Sequence, residues 1–258
     1  MDKYIKPLMA VVIFVLMQAA VSFAVLAVNM VIHIEQDSLS IITWVTLISG
    51  LLTVMLCIKP LGMIRTAEAL NWKHVHWRQA PIGILACVSG AIVLDLVTEL
   101  LDVPNLLQTE FSNIIRTPWG ALTIAIVAPV VEELVFREAL QGGMQRKGIR
   151  PIFAIGISAL VFGIIHMNPA QILGASGLGV LLGILYWRTG NAVLSAIIHV
   201  ANNSFCVIME NVMGDKAENF SLVEWFGGKS ASCMIILFSA MACYLLTVLF
   251  IRQYKNRI

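Results

Sequence analysis

Charge is scarce in this 258-residue sequence: Asp, Glu, Lys and Arg make up 12% of it, and 59% of the residues are apolar. Soluble domains carry roughly 25% charged residues, so a soluble enzyme, a disordered tail and a secreted disulfide scaffold are all excluded. A formal net charge of +2 is too small to argue for nucleic acid as a partner. The sequence has no CxxC pair and no HExxH. Its five cysteines (Cys57, Cys87, Cys206, Cys233, Cys243) are odd in number and scattered through apolar stretches, which fits packing better than a zinc ribbon or a disulfide framework. Long repeats and low-complexity linkers are also lacking.

What the sequence has is long apolar runs. Eight candidate spans occupy residues 7–32, 38–58, 81–101, 118–145, 151–166, 170–187, 191–209 and 230–251. The first is longer than a signal-peptide core of about 7–15 residues and reads as a membrane span. Helix is the expected form, because lipid offers backbone groups no other partner and the runs lack the alternation of a barrel strand. The expected fold is all-α, a polytopic bundle of about eight transmembrane helices with an intramembrane active site. It forms one domain over 1–258, with a motif-bearing core at 118–209. Of the 17 Lys and Arg residues, 13 fall at the termini and in one alternate set of connections, and three (Arg116, Lys216, Lys229) fall in the other set. By the positive-inside rule both termini are expected to be cytoplasmic. Residues 59–80 mix Trp72 and Trp77 with Lys73, His74, His76 and Arg78, a composition suited to the headgroup layer.

Ionisable groups inside apolar spans need a reason, since each costs on the order of 2.5–3.5 kcal/mol at a helix centre. Three clusters stand out: Glu132, Glu133 and Arg137 in the fourth span, Phe162 and His166 at the end of the fifth, and His199, Asn202 and Asn203 in the seventh. Glu133 and Arg137 are four apart and can pair on one helix face. Glu132 points about 100° away and is left free to accept a proton. Pro129 cannot bond the Ala125 carbonyl, so a kink or local opening is expected there. Counted at 1.5 Å per residue from the basic loops, Glu132, His166, His199 and Asn203 lie about 15–24 Å deep and can meet at one level. Taken singly, each cluster has a bland reading: a helix-stabilising ion pair, a histidine at the outer interface, or interhelical hydrogen bonding. A shared depth favours one site. Asp95 and Glu99 share a face of the third span, with Glu99 expected to be solvated and Asp95 deeper. Gly179 and Gly183 form a small-xxx-small pair suited to close helix packing.

On these residues the sequence resembles the CAAX prenyl protease and bacteriocin-processing (CPBP, Abi) family of intramembrane proteases. The family pattern EExxxR, FxxxH and HxxxN is matched in order by Glu132, Glu133 and Arg137, by Phe162 and His166, and by His199 and Asn203. The resemblance implies hydrolysis of a peptide bond within the membrane, with Glu132 and His166 activating water and His199 and Asn203 stabilising the oxyanion. Glu133, Arg137 and Phe162 would support them. It leaves a divalent metal such as zinc open, with Glu132, His166 and His199 as ligands, and the metal-free form is preferred. The implied partners are the lipid bilayer and a hydrophobic or lipidated peptide or protein. A prokaryotic plasma membrane is the expected location.

Other readings absorb fewer of these residues. Gly174 to Gly177 matches GxSG and suggests a rhomboid-like Ser176/His199 serine protease, which leaves the glutamates, Arg137 and His166 unexplained. Presenilin-like chemistry needs two intramembrane aspartates, and Asp95 alone qualifies. A transporter or non-catalytic scaffold would use the buried charges as an ion path, but the sequence shows no obvious inverted repeat.

Overall fold

The computed structural model describes residues 2–32, 38–58, 61–65, 67, 70–75, 77–214, 216 and 220–253. Lys59, His76, Lys255 and Arg257, which entered the charge reading above, lie outside the described residues. The described chain is helical with no strand: α1 (Asp2–Ile32), α2 (Ser38–Ile58), α3 (Ala80–Leu100), α4 (Gln108–Ile115), α5 (Pro118–Arg146), α6 (Pro151–Ile164), α7 (Pro169–Thr189), α8 (Ala192–Met213), α9 (Leu222–Trp225) and α10 (Lys229–Gln253). Single 3-10 turns at Trp72–His74 and Trp77–Gln79 precede α3.

Local chemistry sets many of these boundaries. Proline opens α5, α6 and α7 at a position where the missing N–H costs nothing. The side chains of Thr117, Asn191 and Ser221 accept the first free amides of α5, α8 and α9. Gly190 takes φ +63° to end α7, its amide donating to the Tyr186 carbonyl at 2.7 Å.

The fold is a polytopic membrane bundle. Among the described residues six helices are long and apolar enough to cross a bilayer (those of α1, α3 with the turn before it, α5, α7, α8 and α10), and the apolar parts of α2 and α6 are shorter. All eight expected spans are therefore helical, six of them at full spanning length. The burial gradient is steep: 50% of the apolar window of α5 is buried, against 11% for α1 and 6% for α10. The helix richest in charge is thus the central one, and the most apolar helices face outward, where lipid replaces water as solvent. α5 packs against α1, α2, α6, α7 and α8, while α3 and α10 close the far side of α7 and α8.

α5 is not a regular α-helix. Two π-helical stretches, Thr123–Val127 and Glu133–Gly142, bracket the α-helical turn Ala128–Glu132. Such i→i+5 stretches are uncommon, seldom exceed one turn and are frequent at functional sites. This changes the expectation for Pro129. The Ala128 amide bonds Thr123 O in the π register, so the carbonyl that Pro129 leaves without a donor is that of Ile124 rather than Ala125.

Glu99 also departs from its expected solvated state. Its carboxylate accepts from the Ser221 hydroxyl and from the amides of Leu222 and Val223, and so pins the start of α9 to the C-terminal end of α3. The close packing expected of Gly179 and Gly183 is present. A Cβ at Gly179 would stand 3.0 Å from Ala159 Cα, and one at Gly183 would stand 3.0 Å from Ile155 Cγ2.

Candidate active site

α5, α6 and α8 deliver the three motifs to one place. Glu133 and Arg137 are both fully buried and pair at 3.2 Å, Oε1 to Nη2. His199 of α8 donates from Nδ1 to the same Glu133 oxygen at 3.1 Å. Its Nε2 faces Glu132, 3.8 Å from Oε2. Glu132 keeps 16% of its side chain accessible, against none for Glu133. The two adjacent carboxylates therefore occupy different environments: one is consumed by an arginine and a histidine, and the other stays open.

Phe162 organises the histidines. Its ring meets His166 edge-on at 5.0 Å and His199 edge-on at 5.9 Å, and the Arg137 guanidinium lies 4.8 Å from its centroid. A cation over an aromatic face in a dry site contributes about 2 kcal/mol or more, which helps hold a guanidinium whose one ion pair among the described residues is with Glu133. His166 lies beyond the last residue of α6, in the turn that leads to α7, so the helix stops two residues short of the expected span. Its Nδ1 donates to Phe162 O at 2.8 Å, which leaves Nε2 with a free lone pair. The fourteen residues of α6 rise about 21 Å, less than the roughly 30 Å of a hydrocarbon core. α6 is one of the two shorter apolar helices of the described residues.

Asn203 is only partly free. Its Nδ2 donates to Ile124 O at 3.1 Å, the carbonyl orphaned by Pro129, and its Oδ1 accepts from Asn202 Nδ2 at 3.3 Å. One amide hydrogen remains. Asp95 is not drawn into the glutamate cluster. It stays exposed on α3 beside Cys206 and forms no hydrogen bond or ion pair among the described residues. The Ser176 hydroxyl is buried without a hydrogen bond and sits where a Cβ on Gly163 would collide with it. Both His199 ring nitrogens are turned to glutamates.

The zinc alternative requires Glu132, His166 and His199 to converge. Among the described residues no three His, Cys, Asp or Glu side chains form a set that could hold a metal ion. His199 Nδ1 is held by Glu133 and its Nε2 faces Glu132, but His166 does not join them in a three-ligand set, so the residues as arranged do not fit a three-ligand zinc centre.

Three supporting groups escape the motif reading. Fully buried Glu138 accepts from Arg65 Nε at 3.0 Å, from Arg146 Nη1 at 2.9 Å and from the Tyr186 hydroxyl. It thereby ties the 61–65 segment and α7 to the π-helical part of α5. Ser158 donates to Phe136 O at 2.8 Å and Gln141 to Gly183 O at 2.8 Å, fastening α6 and α7 to the same stretch. Buried Asn168 joins Asn105 at 2.7 Å and the Leu106 amide at 3.0 Å, which clamps the turn carrying His166. Glu138 alone had a visible signal, as a third carboxylate in an apolar span.

Residues 114–205 match the family model described as type II CAAX prenyl endopeptidase Rce1-like. The chain is 32% identical over 103 residues to the putative membrane peptidase YdiL of Bacillus subtilis (strain 168), covering 40% of this chain and 42% of that protein. It is 33% identical over 100 residues to the membrane-embedded CAAX protease MroQ of Staphylococcus aureus (strain USA300), covering 37% and 40%. The matched region thus spans about two fifths of the length of these curated relatives. No solved structure matches significantly. The matched stretch, residues 114–205, carries all three motifs, and over it the chain is similar to the Rce1-like CAAX endopeptidases.

Proposed function

We propose that this protein is an intramembrane endopeptidase that hydrolyses a peptide bond of a membrane-associated, hydrophobic or lipidated peptide. The observation that carries this reading is the division of labour between adjacent carboxylates. Glu133 is locked between Arg137 and His199, and Glu132 is accessible beside the Nε2 of His199. In the reaction, Glu132 takes a proton from a water held with the free Nε2 of His166, and the water oxygen attacks the scissile carbonyl carbon. His199, carrying hydrogens on both ring nitrogens, donates from Nε2 while Nδ1 stays on Glu133, and the spare amide hydrogen of Asn203 donates beside it to the oxyanion, which is worth most in a site that excludes water. The intermediate collapses with cleavage of the C–N bond, and the proton held by Glu132 passes to the leaving amine. The reading is metal-free, and no step passes through a metal. It also places both termini in the cytoplasm of a prokaryotic cell.

The test is cleavage of a prenylated or hydrophobic peptide library by the purified protein, with and without a metal chelator. Glu132→Gln is expected to lose activity by about 10²–10⁴-fold while its thermal unfolding stays close to wild type. Wild-type activity should persist in chelator. Equal cleavage by wild type and Glu132→Gln would overturn the mechanism, and loss of wild-type activity in chelator would overturn its metal-free form.

A further inference from the structure

Among the described residues, two other than glycine have left-handed backbone, Asp102 at φ +50° and Met167 at φ +51°. They lie in two turns that one side chain joins. Met167 follows His166 directly, and Asp102 lies in the 101–107 connection between α3 and α4. The side chain of Asn168, fully buried, accepts from the Leu106 amide at 3.0 Å and donates to Asn105 Oδ1 at 2.7 Å. Beside it the Ala170 amide donates to Pro104 O at 3.2 Å. Asn168 stands at the start of α7, where an asparagine side chain usually caps the first amides, yet it makes no such bond. Its side chain is spent on the neighbouring turn instead.

The reversal between α6 and α7 falls on one residue. Asn168 precedes Pro169 and is held extended, at φ −126° and ψ 120°, so the change of direction is made at Met167. A methionine at positive φ is strained, and such residues persist where their surroundings over-determine them and collect at functional sites. The consequence reaches His166. Its amide and that of Met167 donate three residues back, to Gly163 O and Ile164 O, both at 3.1 Å. In a continued α-helix the His166 amide would take Phe162 O. The tightened turn hands that carbonyl to the imidazole, whose Nδ1 donates to it at 2.8 Å. α7 cannot absorb a relaxation of Met167, because Gln141 donates to Gly183 O and Gly179 is packed on Ala159 of α6. The displacement would fall on His166.

We infer that Asn168 is a positioning residue for His166: by joining the two turns it keeps Met167 left-handed and His166 in the Nδ1–H form, with Nε2 presented as the acceptor. The inference rests on the proposed role of His166 in holding the water. Without the Asn168 side chain, Met167 would return to negative φ, the α-helical register would extend over His166, and the single ring proton would no longer be held at Nδ1.

The test reads the ring nitrogens of isotope-labelled histidine by NMR in the detergent-purified full chain, at alkaline pH where imidazole carries one proton. His166→Ala identifies the His166 signals. The wild type is expected to show His166 as the Nδ1–H form alone, and Asn168→Ala to show a mixture with the Nε2–H form. Turnover of the peptide substrate should fall on the order of 10²-fold in Asn168→Ala, as an ångström-scale misplacement costs, with little change in KM. Met167→Gly should restore turnover by about tenfold in the Asn168→Ala background, and return the Nδ1–H form, because glycine holds positive φ without strain. Asn105→Ala keeps the Leu106 bond and is the milder variant, expected to move both readouts in the same direction by less. An Nδ1–H signal unchanged in Asn168→Ala and Asn105→Ala, or no rescue by Met167→Gly, would overturn the inference. Wild-type cleavage by His166→Ala would overturn the hydrolytic reading instead, and the tautomer comparison would still decide whether Asn168 sets His166.

Discussion

At the scale of single residues, the site depends on which carboxylate is spent. Glu133→Gln is expected to strand the Arg137 guanidinium in a fully buried position and to cost about 3–5 kcal/mol, as breaking a buried pair does. Glu132→Gln should leave stability nearly untouched. Chemical or thermal unfolding of the two variants side by side checks the contrast, and equal destabilisation would refute it. Asn203 has two duties, and they separate by assay. Asn203→Ala should lower turnover by about 10²–10³-fold if its spare hydrogen serves the oxyanion. It should also cost about 1–3 kcal/mol of stability by leaving Ile124 O without a donor. A stability loss with full turnover would leave Asn203 as a positioning residue alone.

At the scale of elements, the π-helical register of α5 is what the side chains of its neighbours maintain. Pro129 removes a donor, Asn203 supplies one to Ile124 O, and Ser158 fastens a carbonyl of the second π stretch. Restoring the amide should make the replacement donor redundant. In a double-mutant cycle, Asn203→Ala is therefore expected to cost about 1 kcal/mol less in a Pro129→Ala background than in the wild type. Full additivity of the two changes would show that they do not share the Ile124 carbonyl. Close helix approach is equally demanding at Gly163, where a Cβ would meet Ser176 Oγ and the Ile172 carbonyl. Gly163→Ala should cost about 1–3 kcal/mol through overpacking and displace the turn that presents His166, which a thermal melt and a loss of turnover would register together.

At the scale of the whole molecule, the packing is inverted relative to a soluble enzyme. Glu133, Arg137 and Glu138 are fully buried, while residues such as Phe23, Leu237 and Phe238 are more than 70% exposed. Lipid tolerates that surface, and the interior is where polar groups find partners. The asymmetry of basic residues predicts that tags at both termini report from the cytoplasm. Protease protection or impermeant labelling of inverted and right-side-out vesicles checks this, and a tag accessible only from the outside would reverse the orientation. Trp72 and Trp77 are exposed and stacked 5.8 Å apart, an arrangement suited to the headgroup layer.

The sequence by itself determined the class of molecule. Scarcity of charge and eight apolar runs require helices in lipid, because no other element satisfies its backbone there. The spacing of Glu133 and Arg137 was enough to anticipate their ion pair, and three ordered motifs were enough for the family resemblance. Tertiary structure decided what local spacing cannot carry. The π register of α5 depends on side chains from α6 and α8 meeting its orphaned carbonyls, and helical periodicity assumes that such carbonyls stay within their own helix. The engagement of His199 by Glu133, the clamp of Asn168 on the turn at His166 and the binding of Glu138 by Arg65 link positions 63 to 73 residues apart. Contacts of that range leave no periodic trace in a sequence, because they are set by where whole helices come to rest against one another.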